Sequence, residues 1–418
     1  MSEHRIASGR ISLLRRVGAA THAAAPIRAI YLARAVRGFG DGFAVILLPV
    51  YLTAIGYGPA EIGLIATVAL LGSAATTLGV GYLSRRFDLR TLLLAGALLM
   101  TLTGLALPAL QHWLLIALVM FVGTLNPNSG DLGMLVPLEH ASLAQGVAPE
   151  TRTRTFAHYS LLGALATAVG ALAAALPDWL VPRGVDQVTA LRAMFVLYAA
   201  LGLLSAVLYL RIPPRPAPAA DAPRQVLGPS RGIVFKLAAL FSVDAFAGGF
   251  VVQSLLALWL FERFSLSLAE ASLFFFWTGV LSAGSYPVAV WLARRIGLVN
   301  TMVFTHIPSS LCLIAAAFAP NLATAMVLLL VRSALSQMDV PTRTSYVMAV
   351  VTPAEQAAAA SVTAVPRTLA SAVSPAFAGA LLASSFAGWP LVICGVLKIA
   401  YDLALLISFR HIKPPEER

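Results

Sequence analysis

Charge is what this chain of 418 residues has least of. Only 11% of its residues are charged, against 59% hydrophobic, where soluble domains carry about 25% charged. A soluble globular protein and a disordered one are both excluded. Cysteine is nearly absent as well. The two thiols, Cys312 and Cys394, fall inside apolar runs, which leaves neither a disulfide framework nor a cysteine-built zinc site. No glycine precedes a lysine anywhere in the chain, so the phosphate-cradling G-x-x-x-x-G-K-[ST] loop is missing, as is the H-E-x-x-H zinc motif. "GPSRG", Gly228 to Gly232, matches the pattern of a nucleophile elbow, but it sits in a proline-rich stretch and not on a strand-to-helix turn. The chain therefore reads as not an enzyme, with no cofactor and no metal. No short apolar core with a small-residue cleavage site opens it, so no removable signal peptide is read.

What the chain has in quantity is apolar runs long enough to cross ~30 Å of hydrocarbon. They predict an all-α polytopic membrane protein of twelve transmembrane helices: Ile30–Leu52, Ile62–Leu83, Leu92–Leu110, Trp113–Leu138, Phe156–Leu176, Ala190–Leu210, Ile233–Leu260, Leu268–Leu292, Leu298–Phe318, Ala323–Val350, Ala357–Ala383 and Leu391–Ser408. The net charge of +11 comes from short basic patches in alternate loops, among them Arg85, Arg86 and Arg90, then Arg211 and Arg215, then Arg294 and Arg295. That distribution is a topology signal and not a nucleic-acid footprint; it puts both termini and the basic loops in the cytoplasm. Residues 211–232, rich in proline, form a cytoplasmic linker between a six-helix half at 30–210 and another at 233–408, with end segments 1–29 and 409–418.

The halves echo each other. "GPAEIGLIATV" before "GYLSRRFDLR" parallels "SLAEASLFFFW" before "VWLARRIGLV", with Glu61 and Glu270, and likewise Arg86 and Arg295, 209 residues apart. "PLEHASLAQGVAPE" parallels "PTRTSYVMAVVTPAE" at a spacing of 204, which puts Glu139 and Arg343 in matching places of helices four and ten. Duplicated six-helix halves are the architecture of many secondary transporters, with the binding site near the midplane between them. "GYLSRRFDLR", Gly81 to Arg90, resembles the loop motif of the major facilitator superfamily, G-x-L-A-D-R-x-G-R-K, between helices two and three. Twelve helices with a long central loop also look like that family, and the resemblance covers essentially the whole chain. Two positions depart: Arg85 stands where the family has aspartate, and Asp88 where it has the second glycine. In the family that aspartate helps latch the cytoplasmic side, so the resemblance implies a latch built differently here, or one in which Asp88 substitutes.

A charge at the centre of a bilayer costs ~2.5 kcal/mol or more, so each one faces a partner or a cavity. Asp41 and Asp244 each lie eleven residues into their predicted helices, ~16 Å down. Arg37, four residues before Asp41, can pair with it on one helix face, and Arg34 is shallow enough to snorkel. The pair is either a structural lock or part of a coupling site. "GTLNPNSGDLGM", Gly123 to Met134, interrupts helix four. Irregular backbone at that depth survives only where protein or water satisfies it, so Asn126, Asn128, Ser129 and Asp131 are expected to face a translocation path; a plain loop is the rival reading. Arg332 in helix ten reaches the midplane, and Asp339 and Arg343 are spaced to pair. The gate candidates are Arg85, Arg86, Asp88, Glu139, Asp339 and Arg343, with a Glu139–Arg343 bridge across the halves closing the cytoplasmic side. Arg367, Lys398 and Asp402 read as interfacial or structural charges, and His158 and His306 as satisfied polar groups or a proton relay.

The expectation is a secondary active transporter of a small solute, proton-coupled through Asp41, Asp244 or Asp131. Export by antiport is favoured because midplane acids suit lipophilic cations, although Arg37 and Arg332 suit an anion. The alternatives are a proton-coupled importer or facilitator and, from another class, a receptor or scaffold that does not transport. The partners implied are the solute, protons and the lipid bilayer, with no nucleic acid and a monomeric chain. The excess of arginine over lysine and the abundance of alanine point to a GC-rich genome and a bacterial cytoplasmic membrane.

Overall fold

A computed structural model describes residues 3–84, 86–128, 133–147, 152–214, 227–352 and 355–412, with side chains described from residue 26 onward except at 146, 152–154 and 357. Among these residues all regular structure is helical. The spans are α1 (Glu3–Ala54), α2 (Pro59–Leu83), α3 (Leu89–Ala109), α4a (Trp113–Val122), α4b (Leu135–Gly146), α5 (Arg152–Leu172), α6 (Gln187–Tyr209), α7a (Arg231–Gly249), α7b (Gln253–Phe264), α8 (Leu268–Ile296), α9 (Leu298–Ala317), α10a (Leu322–Ser336), α10b (Asp339–Ala349), α11 (Gln356–Leu382) and α12 (Trp389–Phe409). A short tight turn, Ala173–Ala175, and a further turn of helix, Leu176–Leu180, extend α5. Ten segments are long and apolar enough to cross a membrane. The interrupted fourth and the 27-residue α11 complete the twelve.

Local chemistry explains the first internal echo. Both glutamates sit at the third position of a helix and reach back to the residue before it. Glu61 accepts from the Gly58 amide at 2.8 Å and Glu270 from the Ser267 amide at 2.9 Å. These are capping boxes that satisfy amides left over where α2 and α8 begin. The second echo marks α4b and α10b, the far pieces of two broken helices.

Small residues set the spacing within the first half. α1 packs along α5 and α6, and a Cβ added at Gly42 would lie 2.1 Å from the Thr167 carbonyl oxygen, one added at Gly170 2.1 Å from that of Phe39. Gly42, next to Asp41, is there because two backbones touch, while Gly40 makes room for the Tyr198, Met100 and Leu201 side chains.

The apolar core has an uneven layout. On the face away from the chain termini a single buried cluster spans both halves, joining Tyr51, Leu52 and Ile62 to Val252, Trp259 and Leu268. On the termini face there are two clusters, one built from α1–α6 around Leu93 and Tyr159 and the other from α7–α12 around Phe241 and Tyr346. The far-face seal is close-packed: a Cβ at Gly63 on α2 would meet the Pro375 carbonyl of α11 at 2.5 Å and Gly379 Cα at 2.7 Å. The Ala269 amide also donates to Asp178 across the halves at 3.1 Å.

Candidate functional site

Three helices are broken near mid-membrane, where the sequence reading expected one. α4a ends at Val122 and α4b starts at Leu135, so helix four is interrupted as the asparagines and proline suggested. Asn126 folds the turn: its side-chain oxygen accepts from the Asn128 amide at 3.0 Å, and its amide nitrogen points at Ser73 Oγ of α2, 3.4 Å away. Ser129 and Asp131 lie outside the described residues. Helix seven breaks after the Gly248–Gly249 pair, and helix ten at Gln337–Met338. Two of the breaks serve each other. The Ser254 amide, in the first turn of α7b, donates to the Pro127 carbonyl at 3.0 Å, so an orphan donor of one half is satisfied by the irregular backbone of the other.

The first half carries a charge network centred on Glu139, which is fully buried. Arg37 donates to its Oε2 and so does the Tyr159 hydroxyl, while the Tyr209 hydroxyl donates to Oε1 at 2.6 Å. The expected Arg37–Asp41 pair is not what forms, because α4b brings Glu139 to Arg37. Asp41 instead accepts from the Tyr198 hydroxyl at 3.3 Å, and that hydroxyl also contacts Thr124 Oγ1 in the helix-four break at 3.3 Å. Arg34 does not snorkel: it is 2% exposed, with its guanidinium 5.3 Å above the Tyr159 ring.

The second half reverses the signs. Here α7a supplies the acid, Asp244, and α10b the arginine, Arg343, 3.2 Å apart. Arg343 also pairs with Asp339 at 2.8 Å, the i,i+4 pair expected from the spacing. Lys398 of α12 donates to the other Asp244 oxygen at 2.6 Å. Its ammonium also contacts His306 Nε2 at 3.3 Å, and His306 Nδ1 lies 3.0 Å from Asp402. An ammonium can only donate, so a hydrogen bond between the two would have Nε2 accept and Nδ1–H donate to Asp402. Lys398, half-buried, and Asp402, fully buried, are thus joined through His306 in one chain of hydrogen bonds that ends on Asp244.

Glu139 and Arg343 do occupy matching segments, but the bridge expected between them gives way to pairs within each half. Each finds its opposite charge on the neighbouring first helix of its own half, and a buried ion is strongly held by a partner already in place. Arg332 is half-buried on α10a and has no ion-pair partner among the described residues; Arg367 of α11 has a buried Nε without an acceptor. The loop of the proposed latch holds only local bonds. Arg86 donates to the Tyr82 hydroxyl at 3.0 Å, and Asp88 accepts from Thr91 in the first turn of α3. Asp88 thus stands at the start of α3 and, among the described residues, its carboxylate is held by the Thr91 hydroxyl alone, while Arg85 lies outside the described residues. The tyrosines at 159, 198 and 209 were missed in the sequence; nothing separates them from other tyrosines in apolar runs.

Comparison with known proteins follows the same lines. The model of the Major Facilitator Superfamily matches residues 30–261. A Saccharomyces cerevisiae protein, the uncharacterized membrane protein YJR124C, is 24% identical over 400 residues, covering 87% of this chain and 89% of its own. Among solved structures, the nucleoside transporter NupG as its D323A mutant superimposes with a TM-score of 0.74 at 12% identity, covering 91% of this chain and 100% of that one. The inward open conformation of the xylose transporter XylE from E. coli gives 0.72 at 15% identity, covering 93% and 97%.

Proposed function

The chain belongs to the Major Facilitator Superfamily, and on that premise we propose that it is a secondary transporter, carrying a small solute by alternating access and driven by protons. It is an integral membrane protein of a transporter family and not an enzyme. The observation that carries the reading is the unequal packing of its halves: one apolar cluster joins them on the far face, while each keeps its own cluster on the termini face. Two rigid halves joined on one side can rock about the midplane and reseal on the other. With the basic loops placed in the cytoplasm by the positive-inside rule, this arrangement is the inward-facing one, and the inward open xylose transporter is among the structures it superimposes on. The membrane proposed is the cytoplasmic membrane of a GC-rich bacterium, with the chain as a monomer.

For the coupling residue we take Asp41. It lies thirteen residues from the far end of α1, ~20 Å in, and among the described residues it accepts from the Tyr198 hydroxyl. An ionisable side chain at that depth marks a pathway by default, which makes Asp41 the candidate proton carrier. Asp244 is a poorer carrier, because Lys398 and Arg343 already neutralise it. Those pairings occupy Asp244 alone, so Asp41 still offers a midplane acid to a lipophilic cation, and export by antiport stays the favoured direction. Proton coupling is kept, and the direction is read from the assay.

The test is a solute panel on proteoliposomes under a pH gradient imposed in each direction, with wild type and Asp41→Asn compared. The expected result is gradient-driven accumulation in wild type that Asp41→Asn abolishes while solute–solute exchange continues. Accumulation at the wild-type level in Asp41→Asn defeats the coupling assignment. A wild type that moves no solute in either direction supports the receptor reading instead.

A further inference from the structure

The second copy of the loop motif, "WLARRIGLVN", has no part in the proposed transport path, yet it borders a cavity of about 500 Å³ on the termini face of the second half. The cavity lies where α8 ends, α9 begins, and α10b and α12 close the bundle. Arg294, Arg295 and Arg410 line it, and no acidic residue among the described ones does. The charges of these arginines are not cancelled by the described residues around them. Arg295 lies 4.9 Å over the Trp291 ring, Arg410 donates to His411 at 2.9 Å, and Arg294 forms no ion pair. Arg294 occupies the place of the family motif's aspartate, so an acid that would have neutralised the cluster is replaced by a third cation. The first turn of α9 also faces the cavity, and the positive end of that 20-residue helix adds to the same field.

Beside the arginines the lining is mixed, with Asn300, Thr342 and Ser345 adding polar side chains that can donate to an anion. Val290 and Phe409 form part of the wall, and Val288, Val290 and Trp291, at 45%, 46% and 55% exposure, make an exposed apolar strip on α8 beside it. A cationic cup at the level where a span ends, continued by an apolar strip along the membrane face, matches an amphiphile with an anionic head. A soluble anion has no use for the strip. Arginines at span ends often serve topology alone, but topology requires no cavity between four helix ends.

We propose that this cavity binds the phosphate headgroup of an anionic membrane lipid, with the acyl chains lying along Val290 and Trp291. The full chain, purified in detergent and stripped of lipid, is titrated with phosphatidylglycerol and with phosphatidylcholine of the same chain length. Phosphatidylglycerol is expected to bind at least about tenfold more tightly, and Arg294→Gln with Arg410→Gln to weaken it by roughly fivefold for each charge removed. The lysine pair, Arg294→Lys with Arg410→Lys, is expected to stay within about threefold of wild type, since it keeps the charge. Arg183→Gln with Arg263→Gln, on the far face, leaves binding unchanged. Equal binding of the two lipids, or equal losses in the glutamine and lysine pairs, overturns the proposal. Full competition by glycerol phosphate at the concentration of the lipid assigns the cup to a soluble anion and overturns it as well.

Discussion

The Arg37–Glu139 pair gives a double-mutant cycle whose order can be worked out in advance. Glu139 is fully buried and takes three donors, the Arg37 guanidinium and the hydroxyls of Tyr159 and Tyr209. Glu139→Met strands a buried cation, at about 3–5 kcal/mol, and leaves two buried hydroxyls without an acceptor, at about 1 kcal/mol or more each. Arg37→Met strands the carboxylate, but the two tyrosines still hold it, so its cost is smaller, about 3 kcal/mol. The double variant removes both ions and keeps only the orphaned hydroxyls, at about 2 kcal/mol. The expected ranking of damage is Glu139→Met, then Arg37→Met, then the pair together, least of all. At roughly 2–4 °C per kcal/mol for a unit the size of one half, Glu139→Met should melt at least about 10 °C below wild type, and the double variant within about 8 °C. Thermal unfolding in detergent, followed by intrinsic fluorescence, reads all four proteins. Additive losses, with the double variant melting lowest, would show that the two side chains do not act as a buried pair.

Other consequences are as specific. Lys398→Met leaves Asp244 with Arg343 as its remaining close cation and takes from His306 Nε2 its donor; a loss of about 3 kcal/mol and of gradient-driven uptake is expected, with Lys398→Arg restoring part of each in the same melting and flux assays. Gly63→Leu places a side chain where 2.5 Å separates the new Cβ from the Pro375 carbonyl, so the far-face seal opens. Labelling of a cysteine at Thr53 by a membrane-impermeant reagent should rise several-fold, and an unchanged rate would mean that the seal is not held by this contact. At the end of the linker, Glu355 accepts from the Gly228 and Ser230 amides at 2.6 and 3.2 Å and from the Ser230 and Thr352 hydroxyls. These donors hold its carboxyl down at about 2. A depressed acid stabilises above its unfolded value near 4.3, and that contribution is lost as pH falls through the folded value. Protection of the Ser230 amide against hydrogen exchange should therefore hold at pH 5 and fade between about pH 4 and 2; equal fading in Glu355→Gln and wild type would refute the role given to the carboxylate.

What the sequence made legible was whatever has a length or a period. Twelve spans and the duplicated halves follow from apolar runs and repeated capping glutamates, because a bilayer allows few alternatives to a helix. The break in helix four was legible as Asn126-Pro127-Asn128. Those in helices seven and ten were not, since Gly248–Gly249 resembles the glycines that merely pack helices and Gln337–Met338 has no breaker at all. For the charges, depth could be read but partnership could not. Arg37 has an acid four residues away in Asp41, yet it pairs with Glu139, 102 positions along. Lys398 looked interfacial until the packing of α12 on α9 and of α12 on α7a set it between His306 and Asp244. One-dimensional spacing favours i,i+4 pairs, and it was right for Asp339 and Arg343, although Arg343 also holds Asp244 of the neighbouring helix.

The central claim is that the two halves alternate between a seal on one face and a seal on the other. Spin-label distances test it most directly, on a background lacking Cys312 and Cys394, with one label pair at Thr53 and Ser385 on the far face and another at Ser84 and Ser361 on the termini face. The account predicts that acidification, or the transported solute, lengthens one pair while it shortens the other. Two distances that stay fixed, or that lengthen together, under every condition in which the protein carries solute would contradict it.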